Sequence, residues 1–208
     1  MNMKKFDKKE TIRLIKHCKR ISVNSRSDID FDRTQYNMNL YKRNISEEEY
    51  MAYRLQNVKI WGRNSEKKKI IYSCDWVLTA PQEIQNDYDE CIRFFQCFTE
   101  FCAERYGKNN AIGSYVHFDE ETPHVHFMFM PILFDEKNNR EKLCASDLMK
   151  KRELYSFHED FQQYLYENNF NFRVVNENKR ERLKSYQNRS IEQLKYDRDR
   201  EWSRNRWE

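Results

Sequence analysis

The stretch His117-Phe118-Asp119-Glu120-Glu121-Thr122-Pro123-His124-Val125-His126 constrains this chain more than any other. It joins residues 111–118 and 123–132, both rich in apolar and β-branched side chains, through a short polar loop, and so reads as an antiparallel hairpin. Side chains alternate along a strand. His124 and His126 therefore share one face, while Val125, Phe127 and Phe129 turn to the other, toward a core. If the loop sets position 117 opposite 124, His117 joins its two neighbours. Three of the five histidines then converge and leave open positions for water or substrate on a divalent cation. Imidazole suits zinc, copper, iron, nickel or manganese better than calcium, and the residues alone do not choose among them. Asp119 and Glu120 each read as a ligand, a partner to a ligand or a base, whereas Glu121 and Thr122 shape the turn.

The elements around the hairpin predict an α+β fold, a central antiparallel sheet with helices packed on it. Residues 10–20 form a short helix, and 21–40 are polar and irregular. Ser46 caps a second helix running toward Trp61, with Glu49 completing a capping box. Residues 70–78 form a strand. The clearest helix covers 83–106, where Tyr88, Cys91, Ile92, Phe95, Phe98 and Cys102 recur at three- and four-residue spacing before Gly107 stops it. Ser146 is expected to cap a helix reaching about Asn168, with Leu148, Phe157, Phe161, Tyr164 and Leu165 inward. A last strand is expected at 170–175. The domain division predicted is 1–175 for the main body and 176–208 for a polar, helical extension carrying Leu183, Ile191 and Leu194.

Composition narrows the function. Three glycines in 208 residues, against an average near 7%, disfavour phosphate-cradling glycine loops of the dinucleotide or Walker type. Six cysteines without a CxxC pair read as reduced, apolar thiols. No apolar run spans a bilayer and no export signal is visible, so the expectation is a cytoplasmic protein without membrane contact. The net charge of +4 conceals a gradient: residues 1–80 carry +8, residues 81–175 carry −7 and the remainder +3. A basic N-terminal third points to a polyanionic partner. Arg26, Arg33 and Asn37 are candidates for DNA contact, being types that read base edges or hold phosphates.

The hairpin His-x-Asp-Glu-x-Thr-Pro-His-x-His resembles the metal motif of the Mob/Pre (MobV) plasmid mobilisation relaxases, a branch of the HUH endonucleases, with seven of its ten positions matched without a gap. His17-Cys18-Lys19-Arg20 is similar to that family's His-x-x-Arg, and Arg33 to Leu40 to its Asn-containing second motif. With Cys74-Asp75-Trp76-Val77-Leu78-Thr79, the similarity covers roughly residues 14–175. Two positions depart from the pattern. Met38 stands where a Tyr commonly follows the Asn, and the sixteen residues before His17 suggest that the usual leading strand is missing or shortened.

The resemblance implies a site- and strand-specific nicking and strand-transfer enzyme. It would act on a plasmid's origin of transfer, as a single strand or hairpin, to start mobilisation. His117, His124 and His126 would hold a divalent ion, with Mn2+ first and Mg2+, Zn2+ or Ni2+ as alternatives. His17 would be the nucleophile and Tyr36 the alternative. Arg20, three residues on and so on the same helix face, would grip the same phosphate, and Glu120 would act as acid, base or orienting group. Self-association is left open. Three rivals stand beside this reading: a rolling-circle initiator or single-strand transposase using a tyrosine such as Tyr155 or Tyr164, a non-catalytic DNA-binding relative, and a hydrolytic metallo-phosphodiesterase. His158 reads as an ordinary surface residue.

Overall fold

The structure, a computed structural model, describes residues 1–21, 29–61 and 69–174. Met1–Phe172 form one compact unit, and Arg173–Glu208 form a second of which only 173 and 174 are described. The expected helical extension from 176 and the DNA-contact candidate Arg26 lie outside the described residues.

The chain opens with a strand, β1 (Asn2–Phe6), which corrects the expectation that this element is missing or shortened. Its side chains alternate too weakly in hydrophobicity to announce it. Its partner is the strand at Ser73–Thr79, with Lys4 opposite Asp75. Asp7 then caps helix α1 (Lys8–Cys18) through a reciprocal pair of bonds with Glu10. The buried hydroxyls of Thr11 and Ser73 meet at 2.7 Å and tie the helix to the sheet. A 3-10 turn at Phe31–Tyr36 leads into β2 (Met38–Asn39). Helix α2 (Glu47–Leu55) starts on the Ser46–Glu49 box as expected, but it ends well before Trp61. The next residues are drawn off into β3 (Lys59–Ile60), which pairs in parallel with a strand far along the chain.

Strand β4 (Ser73–Thr79) is followed by α3 (Tyr88–Tyr106), capped by Asp87 and terminated at Gly107, whose φ of +92° suits glycine. Then come β5 (Ala111–His117), β6 (His124–Phe129), β7 (Ile132–Asp135) and β8 (Arg140–Leu143). The expected single strand 123–132 is thus two. The chain leaves the first sheet at Met130, whose N–H turns to the carbonyl of Asn110, and Pro131 has none to offer. The expected helix from Ser146 is also divided, into a single turn, α4 (Ala145–Leu148), and α5 (Lys151–Glu167). Phe157, Phe161 and Leu165 of α5 are buried, whereas Leu148 and Tyr164 are half-buried. Among the described residues the stretch from 170 forms no strand. Phe170 instead folds its ring against Phe94.

The five-stranded sheet runs β1-β4-β6-β5-β2, antiparallel throughout, and a three-stranded sheet runs β3-β8-β7. Both faces of the larger sheet are covered, and β6 shows how. Val125, Phe127 and Phe129 are wholly buried on the side taken by α3 and α5, where Trp76 stacks on Phe157 at 3.8 Å between ring centres. On the opposite side Met128 packs with Ile15 and Cys18 of α1, Met51 of α2, Ile112 and Tyr115. At the hairpin end of that second face the apolar packing stops and the histidines begin. All six cysteines are free and buried.

Candidate metal and phosphate site

The hairpin register sets His117 directly opposite His124, and His126 follows two residues on, opposite Tyr115. The three rings stand 5.1, 5.3 and 5.2 Å apart, centre to centre. Each ring turns one nitrogen outward to a fixed acceptor. His117 Nε2 meets the carbonyl of Cys18 at 3.1 Å, His124 Nδ1 meets that of Thr122 at 3.0 Å, and His126 Nδ1 meets Asp75 Oδ2 at 2.7 Å. A carbonyl only accepts, so the first two nitrogens carry the ring proton and the inner nitrogen of each ring is bare. The inner nitrogens of His117 and His124 face each other at 3.3 Å, two lone pairs with no hydrogen between them. Such a contact is repulsive until a cation enters. Rings oriented by outer hydrogen bonds, with bare nitrogens converging, form a donor set suited to a first-row divalent ion. Burial above all, then the nearby Arg20 charge, pushes the His117 imidazole down to about 2, and burial likewise lowers His124.

Two further groups crowd this centre. Helix α1 brings His17 to within 5.7 Å of the His117 ring and 6.0 Å of the His126 ring. The loop brings Glu120 to 4.0 Å from His117 Nδ1, 3.9 Å from His124 Nε2 and 4.0 Å from His17 Nε2. Among the described residues, the sets whose donor atoms all lie within 4.8 Å of one another are His17, His117 and His126, and His117, Glu120 and His124. His117 belongs to both. The three hairpin histidines do not themselves close to that spacing, so the ligand set is wider than the hairpin alone suggests.

Asp119 is the anchor of the loop. It is fully buried and accepts from Arg20 Nε (2.9 Å) and Nη2, Thr34 Oγ1 (3.0 Å) and Asn37 Nδ2 (2.6 Å). Burial alone would raise its carboxyl; these donors, Arg20 foremost, instead hold it at about 2. With its oxygens so engaged, Asp119 positions the hairpin and offers nothing to an ion. Arg20 also reaches Glu120 Oε1 at 2.8 Å, and its Nη1 lies 3.5 Å from His17 Nε2. Helical spacing does not account for this contact. The helix ends at Cys18 and Arg20 has a left-handed backbone (φ 55°), so it reaches His17 through the turn and not along a shared helix face.

The remaining candidates separate. Asn37 is held by the hairpin, its Oδ1 accepting from the Phe118 N–H at 2.7 Å, and so supports the site. Arg33 lies half-buried in the 3-10 turn. Tyr36 is half-exposed and sets its ring edge-on against Tyr88, 6.0 Å away. Tyr155 and Tyr164 belong to α5, on the sheet face opposite the histidines, where Tyr164 packs on Phe101. His158 is half-buried beside Trp76 on that same far side. Cys18 lies close to the centre, but burial raises its thiol well above the ordinary value and keeps it protonated.

Sequence reasoning missed two things. The first is Asp75, which holds His126 and whose Oδ1 is the one buried side-chain oxygen or nitrogen without a hydrogen-bond partner among the described residues. A carboxylate in the middle of an apolar strand was the available signal. The second is a cleft of about 800 Å³ beside His17 and His126, where the cations of Lys4, Arg13, Lys16 and Arg20 outnumber the carboxylates of Glu10, Asp75 and Glu120. It is where the basic N-terminal third meets the metal centre.

Residues 1–196 match the family model described as plasmid recombination enzyme, Mob_Pre, and the chain belongs to that family. It is 28% identical over 173 residues to a plasmid recombination enzyme of Bacillus thuringiensis, covering 82% of this chain and 37% of that protein. It is 29% identical over 168 residues to one of Lactiplantibacillus plantarum, covering 78% and 45%. The chain thus spans less than half the length of these relatives. Among solved structures it is similar to the relaxase domain of MobM, bound to plasmid pMV158 oriT DNA in a Mn-bound crystal at pH 6.8. The TM-score is 0.69 at 25% identity, covering 84% of this chain and 88% of that one. The same domain in a Mn-bound crystal at pH 4.6 gives 0.67 at 27% identity, covering 84% and 89%. No helix among the described residues is long and apolar enough to cross a membrane.

Proposed function

We propose that this chain is the catalytic domain of a plasmid mobilisation relaxase, a metal-dependent enzyme that nicks one strand at an origin of transfer and keeps the 5′ phosphate as a covalent adduct. The observation that carries the reading is the meeting of His17, from α1, with the hairpin histidines and Glu120 beside a cleft of lysines and arginines. Family membership and the oriT DNA and Mn of the MobM domain support it.

Lys4, Arg13 and Lys16 line the cleft and hold the phosphates of the incoming strand, an electrostatic grip that weakens steeply with salt. His117, His124 and His126 would hold a divalent ion, Mn2+ first, with Mg2+, Zn2+ or Ni2+ as alternatives. Such an ion polarises a non-bridging oxygen of the scissile phosphate. Neutral His17 attacks phosphorus through Nε2, so a P–N bond forms as the P–O bond to the 3′ carbon breaks, the electron pair leaving with the 3′ oxygen. The imidazole gives up one proton and the 3′ oxygen takes one, so none is gained or lost overall. Attack through Nε2 leaves the ring proton on Nδ1, from which it passes to solvent; Glu120, 4.0 Å from His17 Nε2, stands on the reacting side, where it can hand a solvent proton to the departing 3′ oxygen. Arg20 holds Glu120 and faces His17, offsetting charge on the phosphate. Storing the bond as an adduct permits resealing, which hydrolysis would forfeit.

The test is incubation with supercoiled plasmid carrying the cognate origin and Mn2+. Wild type is expected to nick and leave an acid-labile adduct on His17, while His17→Ala and His124→Ala do not nick. An acid-stable adduct mapped to Tyr36, or nicking that survives His17→Ala, overturns the assignment.

A further inference from the structure

We propose that His17 is itself a ligand of the metal ion while no DNA is bound, so that the attacking nitrogen is stored on the ion and freed by the arriving phosphate. This rests on the metal and the nucleophile assigned above and adds a resting state to them. His17, His117 and His126 present donor atoms all within 4.8 Å of one another, whereas the three hairpin histidines do not. A first-row ion with metal–nitrogen bonds of about 2.0–2.1 Å collects whichever donors converge best. In this geometry the nucleophile is one of them. His17 Nε2 points inward, 3.5 Å from Arg20 Nη1 and 4.0 Å from Glu120 Oε1.

The consequence follows from the electrons of the ring. The imidazole nitrogen has one in-plane lone pair. Donated to a cation, it is withheld from phosphorus, and Arg20 competes for it only weakly, its Nη1 lying 3.5 Å from His17 Nε2 and sharing itself with the His17 carbonyl at 3.4 Å. A phosphate oxygen entering from the basic cleft would displace His17 from the ion. One nitrogen lone pair is exchanged for one oxygen lone pair, no proton moves and no covalent bond breaks. The displaced nitrogen is then beside the phosphorus it attacks. While His17 shares the ion with His117 and His126 its lone pair is withheld, which would restrain reaction with stray phosphates.

The experiment uses DNA-free protein and Mn2+ alone. Calorimetric titration is compared for wild type, His17→Ala, His17→Gln and His124→Ala. In parallel, carbethoxylation of each histidine by diethyl pyrocarbonate is mapped by mass spectrometry with and without Mn2+. Outer partners of a ligand are worth 10- to 100-fold in affinity, so loss of a direct ligand is expected to weaken Mn2+ by at least about tenfold in both His17 variants. Wild-type His17 is expected to lose its reactivity when Mn2+ is added. Unchanged affinity in both His17 variants, or His17 equally reactive with and without Mn2+, overturns the proposal. If His124→Ala also binds as wild type does, the hairpin metal site fails with it, which separates the two failures.

Discussion

Two arginines in this molecule do the same local chemistry at opposite ends of it. Arg20 forks onto Asp119 and reaches Glu120; Arg105 forks onto Glu153 at 2.7 and 3.1 Å and reaches Asp160 at 2.8 Å. Around Arg105 the bonding is complete. Ser156 accepts from it, Tyr106 donates to Glu153, and Trp76 donates to Tyr106, so α3 and α5 are locked by a chain in which each polar atom has its partner. Around Arg20 the bonding is complete only on the outward side. The inner nitrogens of the neighbouring histidines face one another, and Asp75 keeps an oxygen without a partner. The lesson is that a buried ion pair does not by itself mark a functional site. What marks it is polar capacity left open beside the pair, directed at one point, because an unpartnered buried group is costly and calls for a water, an ion or a ligand to complete it.

The open and closed ends differ most at Arg20. Arg20→Ala is expected to lower nicking about a thousandfold with the far-UV circular dichroism retained. An equal loss of activity in Arg105→Ala would erase the distinction between the two ends. Arg20→Lys is expected to lose about a hundredfold, since an ammonium cannot bridge both oxygens of Asp119; full activity would mean that charge alone suffices there.

At the closed end the expected effects are on stability. Phe157→Ala, which removes the ring stacked on Trp76, should lower the unfolding free energy by about 3–5 kcal/mol, and Arg105→Ala by about 2 kcal/mol. Both should leave nicking per folded molecule unchanged, as read by denaturant titration alongside the nicking assay. The smallest effect concerns pH. Burial foremost, then the charge of Glu153, raises the Tyr106 phenol far above its ordinary value of 10.0. The folded state therefore holds a proton that the unfolded state releases. Its contribution is intact below pH 10 and declines as pH rises beyond that value. Tyr106→Phe should flatten the alkaline fall in melting temperature; an identical alkaline limb in the variant would show that other groups govern it.

The local pattern of the chain carried much of this. Alternation placed His124 and His126 on one face and Val125, Phe127 and Phe129 on the other. The loop length set His117 opposite His124, and capping residues located the starts of α2 and the stop of α3. These are short-range effects, decided by backbone geometry within a few residues. The elements without such a local signal depend on distant partners. β1 exists because β4 pairs with it, and β3 because β8 does, four-score residues along the chain. The division of residues 123–132 into two strands follows from Met130 turning to Asn110.

The site divides in the same way. Histidine spacing alone pointed to the donors, but only the packing of α1 on the sheet brought His17 beside them, gave His117 the Cys18 carbonyl as its acceptor and joined Asp75 to His126. Likewise, only the tertiary arrangement joined Asn37 to Asp119 and to the Phe118 N–H as supports of the loop. A side chain's type and spacing decide what it can donate; which lone pair stays bare is decided by the neighbour that takes its other hydrogen bond, and that neighbour is supplied by the fold.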